Sequence, residues 1–301
     1  MPKLGIDLGG TKIEIVALDE RHEVLFRRRV ATPRDDYAAT LQAVKALVDE
    51  AGHMFGPGCS VGIGTPGTIS RRSGMLMNSN SLWLVGKPLK RDLEALLGRE
   101  ICMANDANCF ALSEAVDGAG QGAEVVFGVI LGTGVGGGIV ANGQVIEGAN
   151  AIAGEWGHNA LPWPEAGEWP GPNCYCGRSG CIETFLSGPG LARDHREATG
   201  ETATPEAIVA RAAEGDNRCK ATLARYEARL ARALAHVINI LDPEVIVLGG
   251  GLSNIARLYQ NVPRLWGGYV FSDDVATRLV MNAHGDSSGV RGAAWLCDRS
   301  L

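Results

Sequence analysis

The chain has 301 residues, a formal net charge of −6 and 46 % hydrophobic residues, the profile of a soluble globular protein long enough for two domains or one large one. No Lys/Arg cluster exceeds Arg27-Arg28-Arg29, which argues against a nucleic-acid partner on electrostatic grounds. No apolar run reaches the ~20 residues that span a bilayer, so no membrane partner is expected.

The chain opens into a strand at 3–7, with no charged n-region, apolar stretch or cleavage site before it, and is therefore expected in the cytoplasm. Leu4 to Leu8, the turn Gly9-Gly10-Thr11, and Ile13 to Leu18 read as two strands around a glycine turn, with a third strand at 24–30. Residues 36–54 repeat apolar side chains near helical period. A short buried strand at 60–64 runs into the turn Thr65-Pro66-Gly67; a helix at 89–97 and a strand at 101–104 follow, and Asn105-Asp106-Ala107-Asn108 opens a helix to about Val116. The pattern then repeats: a strand at 125–131, a glycine turn over 132–138, and a returning strand at 139–141. A long amphipathic helix over 222–241 is stopped by Asp242-Pro243. The buried strand 245–248 closes on Gly249-Gly250-Gly251, a helix starts at Asn254, and 289–296 reads as a last helix with one apolar face. Each half thus opens with strand, glycine turn, strand, which suggests two related α/β halves.

The glycine turns carry the first chemistry. Asp7-Leu8-Gly9-Gly10-Thr11-Lys12 places a carboxylate at a strand end, then two residues without Cβ, a hydroxyl and an ammonium. Backbone N–H groups at such a turn can cradle an anion, and Asp7 can hold Mg²⁺ directly or through water. A strand rather than a helix follows, so this is neither a Walker A loop nor a dinucleotide fingerprint. Gly132, Thr133 and Gly134, with Gly136 beyond, repeat the chemistry without the carboxylate, and Gly249, Gly250 and Gly251 offer bare backbone to a nucleoside. A plain tight turn is the alternative for the first and the third.

The second chemistry is metal-ligating. His158, Cys174, Cys176 and Cys181 fall within two dozen residues, with Gly177 and Gly180 between the thiols. One nitrogen and three sulfurs make a complete tetrahedral set for structural Zn²⁺ and leave no open position for water. The remaining cysteines, Cys59, Cys102, Cys109, Cys219 and Cys297, sit among apolar or helical residues and read as reduced thiols.

Taken together, Asp-x-Gly-Gly-Thr-Lys, Asn105-Asp106, Gly-Thr-Gly-x-Gly-Gly and Glu-x-Gly-His followed by Cys-x-Cys-Gly-x-x-Gly-Cys-x-Glu occur in one order. The chain resembles the ROK family of bacterial sugar kinases and repressors, within the actin-like ATPase superfamily, over essentially its whole length. Asn80 to Trp83, Ala153 to Trp163 and Cys174-Tyr175-Cys176 look most like the manno(fructo)kinase branch, while 105–115 and 132–138 look equally like bacterial N-acetylglucosamine kinases. The resemblance implies an α/β fold of two actin-like (ribonuclease-H-like) domains. The first would span 1–116 plus 288–301, and the second 117–287 with a zinc loop at 155–183.

The resemblance also implies roles. Asp106 is the base that takes the proton of the sugar primary hydroxyl as it attacks the γ-phosphate of ATP; a plain helix cap is the alternative. Asn80, Asn105, Glu155, His158 and Glu183 match positions that grip sugar hydroxyls, with His158 also a zinc ligand through its other ring nitrogen. The expected activity is phosphorylation of fructose to fructose 6-phosphate with ATP and Mg²⁺, mannose being a second substrate, in a homodimer. An N-acetylglucosamine or glucose kinase is the enzyme alternative. A sugar-sensing transcriptional regulator is the alternative of another class, disfavoured because family repressors carry a winged-helix segment ahead of this motif and only six residues precede Asp7.

Overall fold

A computed structural model describes residues 1–298, apart from the Asp286 side chain; the last three residues of the expected range 288–301 lie outside the described residues. Tertiary contacts divide the chain into two compact units. Unit 1 comprises Met1–Gly122, Gly138–Gly154 and the chain from Ala283; unit 2 comprises Ala123–Gly137 and Glu155–Asn282.

Unit 1 begins with β1 (Lys3–Leu8), β2 (Lys12–Leu18), β3 (Val24–Ala31), α1 (Tyr37–Phe55), β4 (Ser60–Thr65), β5 (Thr68–Ile69), β6 (Leu76–Met77), α2 (Leu89–Leu97), β7 (Cys102–Asn105) and α3 (Asp106–Val116). Its sheet has the order β3-β2-β1-β4-β7. β1 pairs antiparallel with β2 and parallel with β4, setting Asp7 opposite both Glu14 and Gly64. Leu4, Ile6 and Leu8 are fully buried in this central strand and join Val44, Leu47 and Val48 of α1 in one core, so hydrophobic burial fixes the strand whose end carries Asp7. Helix α1 starts where the Asp36 side chain accepts from the Ala39 N–H at 2.9 Å.

The chain continues through β8 (Val125–Leu131), β9 (Val135–Ala141) and β10 (Gln144–Val145). It goes on through α4 (Ile182–Leu186), α5 (Gly188–Thr199), α6 (Pro205–Ala213), α7 (Asn217–Leu241), β11 (Val245–Gly249), α8 (Leu258–Trp266) and β12 (Arg278–Met281). A second sheet runs β10-β9-β8-β11-β12, and the unit boundary falls within β9. Every residue of β11 is buried, as expected of a strand flanked on both sides by parallel partners. The expected turn over 132–138 is shorter than read: β9 already begins at Val135. Its glycines allow close packing instead, since a Cβ on Gly138 would run into the Ala107 carbonyl at the start of α3. Ahead of α8, Gly251–Asn254 forms a 3₁₀ turn, and the helix itself starts at Leu258.

The last helix, α9 (Ser288–Trp295), belongs to unit 1 and packs on α3, β1 and β4. Gly5 and Gly62 face the backbone carbonyls of Val290 and Ala293 so closely that side chains there would collide. This docking overturns one expectation. Cys102 and Cys297, read as reduced thiols, are joined by a disulfide with their Cα atoms 5.4 Å apart, because α9 delivers Cys297 to β7 across 195 residues of sequence. Cys59, Cys109 and Cys219 are free, as are the three zinc-loop cysteines.

Candidate functional site

In unit 1 the first glycine turn is closed locally: the Gly9 N–H donates to the Lys12 carbonyl at 3.0 Å, and the Thr32 hydroxyl donates to the Gly9 carbonyl at 2.7 Å. Thr11 is exposed at its tip. Asp7 stands just behind, its pKa pushed up to about 6, chiefly by burial, with the Asp106 charge adding to this and Lys12 opposing it. A half-buried carboxylate that feels a second carboxylate is a donor set suited to a hard divalent cation. The fold therefore brings Asp7, Lys12 and Asp106 into one electrostatic neighbourhood.

Asp106 is the first residue of α3, yet the N-cap is Asn105, whose Oδ1 accepts from the Ala107 N–H at 2.8 Å. Asp106 Oδ1 shares that donor at 2.8 Å. Asn105 also donates through Nδ2 to the Gly67 carbonyl at 3.1 Å, so it ties α3 to the Thr65-Pro66-Gly67 turn. Asn80 is exposed. Its neighbour Ser81, missed in the sequence, is buried, its hydroxyl has no hydrogen-bond partner among the described residues, and it lies against Gly10. Ser81 falls inside the run Asn80 to Trp83, but nothing in that run marks it as a buried hydroxyl, so only the fold reveals it.

In unit 2 the second turn is braced from a distance. The Gly132 N–H donates to the Gly134 carbonyl at 3.0 Å, and the Gly132 carbonyl accepts from the Gly188 N–H at 2.8 Å. Thr133 is exposed, as Thr11 is. Gly132, Thr133 and Gly251 line a cavity of about 600 Å³ together with Gly188, Pro205 and Glu206. The last three lie in α5 and α6, two helices that the sequence reading did not include. Gly249 ends β11 and Gly250, at φ 79°, is pressed on the Leu131 backbone. Gly136 lies in β9, where its carbonyl accepts from the Trp156 indole N–H at 3.0 Å.

His158, Cys174, Cys176 and Cys181 are gathered so that their ligand atoms all lie within 4.8 Å of one another. His158 Nδ1 is 3.6 Å from Cys174 Sγ, and Cys176 Sγ is 3.6 Å from Cys181 Sγ. Ligands at Zn–S and Zn–N bond lengths on a tetrahedron are separated by roughly 3.6–3.8 Å, which these two 3.6 Å separations match. Gly177 at φ 86° and Gly180 at φ 70° make the reversals between sulfurs. Burial pushes Cys181 up to about 12, while the Arg178 backbone N–H holds the exposed Cys176 below its usual value. His158 keeps Nε2 on the side away from the sulfurs, where it meets the Tyr175 hydroxyl at 3.0 Å. The loop is fastened to α7 by Glu168, buried and bonded to Arg229 at 2.7 Å and Arg232 at 2.8 Å. Burial alone would raise Glu168, but these guanidiniums hold its carboxyl below the usual range.

Glu155 directly precedes the short 3₁₀ turn Trp156–His158, and its pKa is raised by burial and by Glu183, with His158 opposing. Glu183 lies in α4, two residues after Cys181, and its Oε2 accepts from the Val135 N–H at 2.9 Å. Unit 2 thus brings Glu155, His158 and Glu183 together on the metal-ligating loop, while Asn80, Asn105 and Asp106 belong to unit 1.

The ROK family model matches residues 3–300. The chain belongs to the ROK family. An N-acetyl-D-glucosamine kinase of Photobacterium profundum is 43 % identical over 296 residues, covering 97 % of this chain and 98 % of that one. The crystal structure of a ROK hexokinase from Thermus thermophilus superposes with a TM-score of 0.85 at 30 % identity, covering 98 % and 97 % of the two chains. A ROK glucokinase from Streptomyces griseus, solved with glucose and AMPPNP, gives 0.77 at 28 % identity over 98 % and 99 %. The chain is therefore a sugar kinase of the ROK family with its actin-like two-domain fold. The expected manno(fructo)kinase branch is corrected: the relatives matched end to end are named for N-acetyl-D-glucosamine. Short motifs such as Cys174-Tyr175-Cys176 cover a few residues and so weigh less than identity over 97 % of the chain. No helix among the described residues is long and apolar enough to cross a membrane.

Proposed function

We propose that this protein is an ATP-dependent N-acetyl-D-glucosamine kinase that phosphorylates the sugar's primary hydroxyl. The observation that carries the reading is the 43 % identity, over 97 % of this chain, to a relative of that name. Asp106 is the base: its carboxylate takes the hydroxyl proton while the hydroxyl oxygen bonds to the γ-phosphorus, and the bond to the bridging oxygen of ADP breaks. Asn80, Asn105, Glu155, His158 and Glu183 replace the water that the sugar hydroxyls lose, since an unpaired buried polar group costs ~1–3 kcal/mol. Gly9, Gly10, Thr11 and Lys12 with Gly132, Thr133 and Gly134 receive the phosphates through backbone N–H groups, and the cavity bounded by Gly251 and Pro205 takes the nucleoside. Mg²⁺ bound through Asp7 supplies charge neutralisation on the phosphates. Zn²⁺ held by His158, Cys174, Cys176 and Cys181 is structural, and aims Glu155, His158 and Glu183. The protein acts in the cytoplasm as a homodimer.

A coupled ADP-release assay over N-acetylglucosamine, N-acetylmannosamine, glucose, mannose and fructose tests this. The highest kcat/KM is expected for N-acetylglucosamine. A preference for fructose would restore the manno(fructo)kinase reading, and turnover of none would remove the kinase reading altogether.

A further inference from the structure

Unit 2 joins its two functional regions through five consecutive backbone residues, 132–136. The Val135 N–H is held by Glu183 Oε2 at 2.9 Å. The Val135 carbonyl is packed so tightly against Gly157 that a side chain there would clash. The Gly136 carbonyl is held by the Trp156 indole at 3.0 Å, and the Gly132 carbonyl by the Gly188 N–H at 2.8 Å, just beyond α4. Both segments that carry sugar-gripping groups, 155–158 and Glu183, therefore rest on the strand that leaves the Gly132-Thr133-Gly134 turn. Gly134 is part of the fit, since a Cβ on it would sit 2.6 Å from Glu183 Oε2.

Resting on the kinase reading above, we propose that Glu183 is a coupling residue: its bond to the Val135 N–H links sugar binding to nucleotide phosphate binding at the 132–134 turn. One carboxylate has two oxygens. With Oε2 fixed on Val135, the rest of the group faces the sugar in one orientation, and a sugar hydroxyl that fixes Glu183 fixes the turn. The linkage is reciprocal by thermodynamic necessity, so each ligand tightens the other by the same factor, for couplings of this kind about 5–150-fold. It also extends the reach of the metal cage: Cys181, a ligand, is two residues from Glu183, so loop order passes to the phosphate turn as well as to the sugar.

The test is calorimetric titration of N-acetylglucosamine into the zinc-containing protein, alone and with saturating AMPPNP and Mg²⁺. At least a ~5-fold tightening by the nucleotide is expected, falling towards one in Gly134→Ala, whose methyl pushes Oε2 off Val135. Because that variant also alters the turn, amide exchange at Val135 supplies a readout that needs no nucleotide. Sugar alone should slow exchange there in the wild type and leave it unchanged in Gly134→Ala. Sugar binding with a coupling factor of one and no change at Val135 would overturn the proposal and leave the kinase reading standing. Absence of sugar binding with or without nucleotide would overturn the kinase reading, and the proposal with it.

Discussion

The two glycine-threonine turns close differently, the Gly9 N–H on the Lys12 carbonyl and the Gly132 N–H on the Gly134 carbonyl, and rest on different supports. In unit 1, Gly9-Gly10-Thr11 closes on Lys12 and on Thr32 just past β3, and follows a strand whose end carries Asp7, a carboxylate raised by burial and by Asp106. In unit 2, Ile130 stands where unit 1 has Asp7, and the run from Gly132 to Val135 is held by Glu183 and Gly188, some fifty residues away in sequence. In the function proposed above, the first turn brings a cation to the phosphates. In the coupling proposed above, the second takes its order from a remote loop that gathers metal ligands. Two similar glycine-threonine runs therefore sit in different surroundings.

Removing the carboxylate should break unit 1's role outright. Asp7→Ala is expected to abolish Mg²⁺-dependent phosphoryl transfer while sugar still binds in a titration without ATP; loss of sugar binding in a folded variant would place Asp7 on the sugar instead. Asp106→Asn keeps shape and can still cap, but cannot take a proton, so kcat should drop by at least ~10²-fold. Turnover near wild type would return Asp106 to the role of a helix-start residue.

Unit 2 should fail by a different route. Cys176→Ala or Cys181→Ala is expected to lose zinc and loop order together, weakening sugar and AMPPNP binding alike, with metal content read by elemental analysis. A metal-free preparation with unchanged binding would remove zinc from the support of the second turn. Arg232→Leu attacks the same loop from α7. It removes the bonds of the buried Arg232 guanidinium to Glu168 and to the Trp163 carbonyl but leaves Glu168 with Arg229 and the Glu165 N–H, so the loss should fall short of the about 3–5 kcal/mol of an uncompensated buried charge, to be read from chemical denaturation. A loss under about 1 kcal/mol would mean that the network contributes little to holding the loop.

The contrast also explains what the sequence could show. Strong local signals were legible: alternation and full burial in the strands around Asp7 and in β11, glycine turns at strand ends, and a histidine with three cysteines at metal-ligand spacing. Less legible were elements whose pattern is weak or whose role is tertiary. Helices α5 and α6 do carry start signals, Ser187 and Thr204 as N-caps with Pro189 and Pro205 in their first turns, which the sequence reading passed over, and they wall the cavity beside Gly132. Ser81 and the Cys102–Cys297 bond depend on partners distant in the chain, which no spacing reveals. The substrate was least legible, because two hexoses differ by a substituent whose recognition needs only one or two contacts.

Unit 1 has a remote strap of its own, held by charge where unit 2 uses a loop that gathers metal ligands. Asp117 C-caps α3, the helix that starts with Asp106, and accepts from His284 Nε2 at 3.0 Å and from Arg291 of α9. His22 Nδ1 lies 3.7 Å from the same carboxylate, and Glu114 adds a second negative charge near His284. The hydrogen bond to Asp117 raises His284 above its ordinary value of 6.5, against burial and Arg291. For Asp117, burial would raise the pKa, but the bonds from His284 and Arg291 outweigh it and hold the group below 3.8. A raised histidine contributes stability that is fully present below pH 6.5 and lost as the pH climbs through its folded value; the lowered aspartate contributes above pH 3.8 and fails only in stronger acid. His284→Gln should therefore cost no more than about 1–2 kcal/mol, the smallest effect predicted here. Its deficit in melting temperature against the wild type should be largest near pH 6 and shrink towards pH 9. A deficit that stays constant over that range would show that His284 acts by packing alone, and that unit 1 does not depend on a titratable strap.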